Sequence, residues 1–238
     1  MTGDPACFLF HKNDVFVGFA IIHVDDIIVS GTQELVDRVV GAIKRRFKVS
    51  KDQIETFTYT GMAIRADKQG RLFLNQNQYL EEMDNVPEIA KDQTEDSLRT
   101  TLRGAVGRLL YLNLTRPDLA FKTNNLSRVP PGTDLKQKIQ EAAIITEEAK
   151  KNPLEIQYGK LGNLKDLTLE LYADASFGGV DKGLKSTEGY ILLLRGEGDK
   201  CAAISWRSKL ISRVCNSAKS AETLALENAM DNAIYIGG

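Results

Sequence analysis

Four acidic residues stand where their types and spacing could do chemistry. Asp25 and Asp26 are adjacent, between the strongly apolar runs Val15–Ile22 and Ile27–Ser30. Isolated carboxylates cannot be buried in such a sheet without a cost of several kcal/mol each, about 2–7 for an unpartnered polar group alone. The pair must therefore sit at a hairpin tip or face a cation. One reading is a solvated tight turn, since Asp is a common turn residue. The other is a cluster of hard oxygen ligands for a divalent ion in phosphoryl transfer. Further on, Asp174 ends the apolar run Leu169–Ala173 ahead of Gly178 and Gly179, and Glu222 lies early in a helical pattern near the C-terminus. Asp174 alone reads as a strand-end turn residue, and Glu222 as a first-turn acid favoured by the helix dipole. Both pairs keep two readings on spacing alone.

Composition removes other chemistries. Of 238 residues 42% are apolar and 26% charged, the balance of a globular chain with a real core. Lys and Arg number 31 against 32 Asp and Glu, a net charge of −1, so composition does not announce a nucleic-acid binder. Three cysteines without a C-x-x-C pair argue against a disulfide framework or zinc cluster, and two histidines leave little for imidazole chemistry. There is no apolar run of membrane-spanning length and no visible secretory leader, so an intracellular (cytoplasmic or nuclear) location without membrane contact is expected.

The elements that must position these acids follow from periodicity. Cys7–Phe10, Val15–Ile22 and Ile27–Ser30 read as strands, with a turn at residues 11–14. Leu35, Val36, Val39, Val40, Ile43 and Phe47 recur at three and four, an amphipathic helix opening after Gly31-Thr32. A hairpin over Phe57–Ile64 and Leu72–Leu74 comes next. Helices are expected over Gln76–Met83, Leu102–Leu114, Pro117–Arg128 and Leu135–Lys150, with Pro130-Pro131-Gly132 as a stop. Strands return at Leu154–Tyr158, Leu167–Ala173, Tyr190–Leu194 and Ala202–Ser205, and a final helix covers Ala218–Ile236. The switch near Asn152–Pro153 suggests a boundary between units 1–152 and 153–238.

The order of motifs adds a family. His23-Val24-Asp25-Asp26 resembles the Tyr-Val-Asp-Asp motif of reverse transcriptases, specifically the Pol polyprotein of copia-type (Ty1/copia) long-terminal-repeat retrotransposons, with His23 in place of Tyr. Tyr59-Thr60-Gly61-Met62-Ala63-Ile64 is similar to that family's Leu-Gly-Met-Glu-Ile strand. Leu109-Leu110-Tyr111-Leu112 followed by Thr115-Arg116-Pro117-Asp118 matches its Leu-Leu-Tyr-Leu-x-x-Thr-Arg-Pro-Asp block. In the second half, Tyr172-Ala173-Asp174, Lys185-Ser186-Thr187-Glu188-Gly189-Tyr190, Ile204-Ser205-Trp206-Arg207-Ser208-Lys209 and Ser220-Ala221-Glu222 resemble successive blocks of the adjoining ribonuclease H domain.

The resemblance implies an α+β chain: a partial palm with a helical thumb or connection region, then a truncated ribonuclease H-like α/β domain with an exposed sheet edge open to self-association. It implies that Asp25, Asp26, Asp174 and Glu222 are catalytic metal ligands for Mg2+ or Mn2+, weakly bound. The implied partners are RNA–DNA hybrid or template–primer and the remainder of a Pol polyprotein. Ser176 stands where the family has a second Asp, Trp206 reads as core rather than a base-stacking platform, and the basic residues of 44–51 read as a solvated face offset by the acidic stretch 81–96. The family's first polymerase aspartate and third ribonuclease H carboxylate have no counterpart here. Asp231, nine residues after Glu222 on the same helix, lies about 13 Å away along the axis. The expectation is a chain recognisable by descent but inactive alone; the alternative is a non-catalytic relic or a host-retained module that binds nucleic acid or protein.

Overall fold

The computed structural model describes residues 5–87, 89–90, 92–178, 185–198 and 200–237. Gly179, part of the expected glycine-rich exit after Asp174, lies outside the described residues. The chain is mixed α and β and forms two compact units, Met1–Ala66 and Asp67–Gly238.

In the first unit, β1 (Cys7–Lys12), β2 (Val15–His23) and β3 (Asp26–Gly31) form an antiparallel sheet in that order. The first turn is only Asn13-Asp14, both at positive φ (52° and 63°), the two-residue hairpin loop that Asn and Asp favour. It is therefore shorter than the four-residue turn expected. Helix α1 (Gln33–Arg46) starts at Thr32, whose hydroxyl accepts from the Leu35 amide. It folds back because Gly18 and Gly31, facing each other across β2 and β3, leave room for Leu35, which is 3% exposed. A Cβ on Gly18 would lie 2.3 Å from the Ser30 carbonyl oxygen and 2.6 Å from Leu35 Cδ2. The rest of the apolar stripe is less buried than its periodicity suggests, and Phe47 is exposed. Strands β4 (Thr56–Tyr59) and β5 (Met62–Ala66) form a second antiparallel hairpin.

The second unit has a helical core. It contains β6 (Leu72–Asn75), α2 (Asn77–Glu82), α3 (Glu95–Leu112), a 3-10 turn (Pro117–Leu119), α4 (Ala120–Leu126), α5 (Leu135–Lys151) and β7 (Ile156–Tyr158). Leu98, Leu102, Ala105, Leu109 and Leu112 of α3 pack with Ile139, Ala142 and Ala149 of α5. The alanines, fully buried, let the two helices approach closely. Helix α3 begins seven residues before the expected Leu102, because Thr94 accepts from the Ser97 amide and Glu95 and Asp96 occupy the first turn. Strand β7 pairs antiparallel with β6 (Leu72 opposite Tyr158). The boundary suggested at 152/153 consequently falls within this unit.

A three-stranded antiparallel sheet completes it, in the order β10 (Cys201–Leu210), β9 (Thr187–Arg195), β8 (Thr168–Ser176). Strand β8 is an edge. Strands β9 and β10 run well past their expected ends. Helix α6 (Ala218–Gly237) lays Ala221, Ala225 and Ala229 against one face of this sheet, while α4 covers β10 on the other. Among the described residues no helix is long and apolar enough to cross a membrane.

Candidate functional site

The two aspartates of the first unit sit where β2 turns into β3. His23 is paired with Asp26, so the loop proper is Val24-Asp25 and Asp26 already belongs to β3. Positive φ at Val24 alone (55°) matches a II′ loop, which ordinarily places Gly there. A β-branched residue in that region is strained. Both carboxylates are exposed, and neither has a hydrogen-bond or ion-pair partner among the described residues. His23, at the end of β2, packs edge-on against Tyr59 (centroids 6.4 Å apart, planes at 66°).

Asp174 and Glu222 belong to the second unit. Strand alternation puts Glu170, Tyr172, Asp174 and Ser176 on one face of β8, and Ala173 and Ala175 on the α6 face. Asp174 is exposed, with no partner among the described residues. Glu222 reaches the edge of β8, where its Oε2 accepts the Ala175 amide at 3.1 Å. The fold thus brings Glu222 to the residue after Asp174, with the Asp174 side chain on the opposite face. Asp231 is exposed, lower on the same continuous helix.

Asp174 also borders a groove of about 500 Å3 between the sheet and the segment Pro117–Phe121. Tyr172 and Trp206 line it. The Trp206 indole donates to the Asn113 carbonyl at 2.8 Å, which anchors β10 to the end of α3; the ring is half-buried and outside the core clusters. The Tyr172 hydroxyl donates to Glu170, whose carboxylate pairs with Arg195. The hydrogen bond from Arg195 is the main cause holding the Glu170 carboxyl below its ordinary range.

Two clusters escaped sequence reasoning. Glu188, inside the Lys185–Tyr190 block, is a buried carboxylate that pairs with Lys209 (2.9 Å) and accepts from Asn228 Nδ2 of α6 (2.8 Å). Its run of strand neighbours gave no sign that α6 would cover it. In the Thr115–Asp118 block the Thr115 hydroxyl donates to Gln76 Oε1 at 2.9 Å, and Arg116 donates to Asp118 and to the Ala149 carbonyl. This motif is a buried tie between helices.

The donor chemistry of both acid pairs suits a hard divalent cation, which takes oxygen ligands and, for Mg2+, retains several waters. Among the described residues no group of three or more His, Cys, Asp or Glu side chains could hold a metal ion. Neither pair constitutes a two-ion centre by itself.

No family model matches the chain. It is similar to the retrovirus-related Pol polyproteins from transposons RE1 and RE2 of Arabidopsis thaliana, 27% and 28% identical over 99% and 98% of its length. It spans 16% of the length of each. It is also 31% identical, over 56% of its length and 88% of the relative's, to secreted RxLR effector protein 161 of Plasmopara viticola. These likenesses agree with the ordered motifs: relatives that the chain matches over nearly its whole length are copia-type Pol polyproteins.

Proposed function

We propose that this chain is the stretch of Pol that runs from the C-terminal part of the reverse transcriptase into the start of the ribonuclease H domain, and that within the longer polyprotein it serves two-metal phosphoryl transfer on RNA–DNA hybrid. The observation that carries the reading is the placement of the acids in chain order. Asp25 and Asp26 crown a strained antiparallel hairpin backed by α1. Asp174 lies on an edge strand, and Glu222 opens the helix packed beside it. Such sites need carboxylates that hold two ions roughly 4 Å apart. Two acids per cluster are too few, so the chain alone is inactive and contributes Asp25, Asp26, Asp174 and Glu222 as metal ligands to a larger assembly.

The test is Mg2+- and Mn2+-dependent primer extension and hybrid cleavage by the purified chain, beside D25N/D26N and D174N. The expected result is no turnover above that of the variants. Cleavage by the parent that D174N abolishes would overturn the inactivity. A second reading, a non-catalytic module outside any polyprotein, is favoured by the similarity to a chain named as a secreted effector, of which this one covers 88%.

A further inference from the structure

Helix α6 rests on its sheet through alanines. Ala221, Ala225 and Ala229, all buried, make the contact. Such a stripe lets helix and sheet approach closely, but single methyl groups form shallow ridges that resist sliding and rotation poorly. The placement of α6 along β8 therefore depends on directional contacts. Among the described residues two side-chain hydrogen bonds join α6 to the sheet. Glu222 Oε2 accepts the Ala175 amide at 3.1 Å, and Asn228 Nδ2 donates to Glu188 Oε2 at 2.8 Å.

Both bonds end on one row of the sheet. Ala175 of β8 faces Glu188 of β9, and Glu188 faces Lys209 of β10. Glu188 is only 5% exposed, and its Oε1 pairs with Lys209 Nζ at 2.9 Å. The ammonium and the amide nitrogen both donate, so each carboxylate oxygen is used and Asn228 is held with its nitrogen toward the sheet. Burial makes this contact exacting, because a buried carboxylate that loses a partner bears its full desolvation cost. Arg213 and Glu227, 4.0 Å apart and exposed, carry no such penalty and fix little. Glu222 is itself exposed and takes its place from the helix that carries it. It precedes Asn228 by about 9 Å along the axis of a continuous helix, so a displacement at Asn228 reaches Glu222 as a rigid-body shift.

We propose that Glu188 and Asn228 are positioning residues for Glu222. Lys209 holds Glu188 from the sheet side, Glu188 holds Asn228, and Asn228 fixes the register of α6 that brings the Glu222 carboxylate to the amide after Asp174. The inference rests on the reading of Glu222 as a metal ligand, and it adds the buried groups that place that carboxylate. Neither Glu188 nor Asn228 touches metal or substrate in this account.

The experiment is proton–nitrogen correlation NMR of the full chain in EDTA, with the Ala175 amide as reporter. An amide that donates to a carboxylate resonates downfield, and Glu222→Ala supplies the position of the released amide. Asn228→Asp keeps the size of the side chain but sets an acceptor and a second negative charge against Glu188. It should move the Ala175 signal most of the way to its Glu222→Ala position. Exchange of that amide should speed up about tenfold, in keeping with loss of a hydrogen bond to a charged group. The double variant Glu188→Gln/Asn228→Asp, in which donor and acceptor change places, should return both readings toward the parent. The amides of Leu192 and Ala202, on the other two strands, should keep parental exchange throughout. Circular dichroism shows which variants fold, and Asn228→Ala, which adds no charge, replaces Asn228→Asp if that one does not. A parental Ala175 signal in the Asn228 variant, no recovery in the double variant, or equal acceleration at Leu192 and Ala202 overturns the proposal. No metal enters the measurement, so an absence of hybrid cleavage leaves it untouched, and a failure here leaves the metal-ligand reading of Glu222 to the catalytic assay.

Discussion

Arg116 and Asp118 form a fork-to-fork pair, Nε to Oδ1 at 2.9 Å and Nη2 to Oδ2 at 2.8 Å, in which the guanidinium is 4% exposed and the carboxylate 43%. The hydrogen bond from Arg116 is the largest cause holding the Asp118 carboxyl below its ordinary range. Arg116 also donates to the Ala149 carbonyl, so the pair ties the start of α4 to the end of α5.

Asp118→Asn keeps the shape and leaves the buried guanidinium without its charge partner. A fully buried pair broken in this way loses 3–5 kcal/mol; with one partner partly in water the expected loss is about 2 kcal/mol. For a chain of this size that lowers Tm by about 4–8 °C. Trp206, the single tryptophan, reports unfolding of the second unit by fluorescence. The pH sign follows from the lowered pKa of the folded state. Asp118's contribution is complete above its unfolded value, about 3.9, and is lost as pH falls through the lower folded value. Parent and variant should therefore converge below about pH 4. A gap that stays constant from pH 7 to pH 3 contradicts the ion-pair account.

Gly18→Ala should dismantle the packing of α1 on its sheet. The added Cβ meets backbone atoms of Ser30 and Gly31 at 2.3 and 2.6 Å, and Gly18 has φ of 153°. Overpacking and backbone strain together should cost the first unit about 3 kcal/mol or more. Amide exchange across β2 and β3 should accelerate, whereas Trp206 fluorescence should unfold at the parental midpoint.

Val24→Gly should stabilise the hairpin that carries Asp25 and Asp26. Val24 is 88% exposed, so nothing is lost in packing, and the positive φ that strains valine suits glycine. Relief of strain offset by backbone entropy leaves a gain of about 0.5–1 kcal/mol. Slower proteolysis at the tip is the readout. Faster cleavage would show that Val24 is unstrained there.

Legibility followed locality. Among the described residues periodicity located each α-helix, because apolar residues at three and four announce a buried stripe wherever the partner lies, but not the 3-10 turn Leu164–Asp166, which is too short to carry one. The α3 start was missed although Thr94 and the acids after it were visible, since the apolar pattern begins only at Leu98. Strand ends at β9 and β10 were missed because Thr187, Glu188 and Arg207–Lys209 look like loop chemistry until α4 and α6 cover them. The acids themselves were legible as residues. Their geometry was not: the one-residue offset of the β2–β3 turn, which puts Val24 at the strained position and Asp26 in a strand, depends on the pairing of His23 with Asp26. The same holds for the face Asp174 takes, which is fixed by the register of β8 on β9.

Glu222 has a role in this chain apart from any metal. Among the described residues strand β8 has β9 on one side only, so the Ala175 amide points to an open edge, and Glu222 satisfies it. Glu222→Ala removes that acceptor and frees the amide to pair with a strand from another molecule, the hazard of any uncapped edge. Glu222→Gln retains a neutral acceptor of about half the strength. Two measurements separate the roles. Exchange of the Ala175 amide should be fastest in Glu222→Ala and intermediate in Glu222→Gln. Sedimentation at rising concentration should show association in Glu222→Ala first. If Glu222 serves only as a metal ligand, both variants exchange and sediment like the parent in EDTA. The expected ordering of parent, Gln and Ala instead makes this carboxylate a guard of the sheet edge as well, which explains why its side chain turns toward the backbone after Asp174 rather than toward the Asp174 carboxylate.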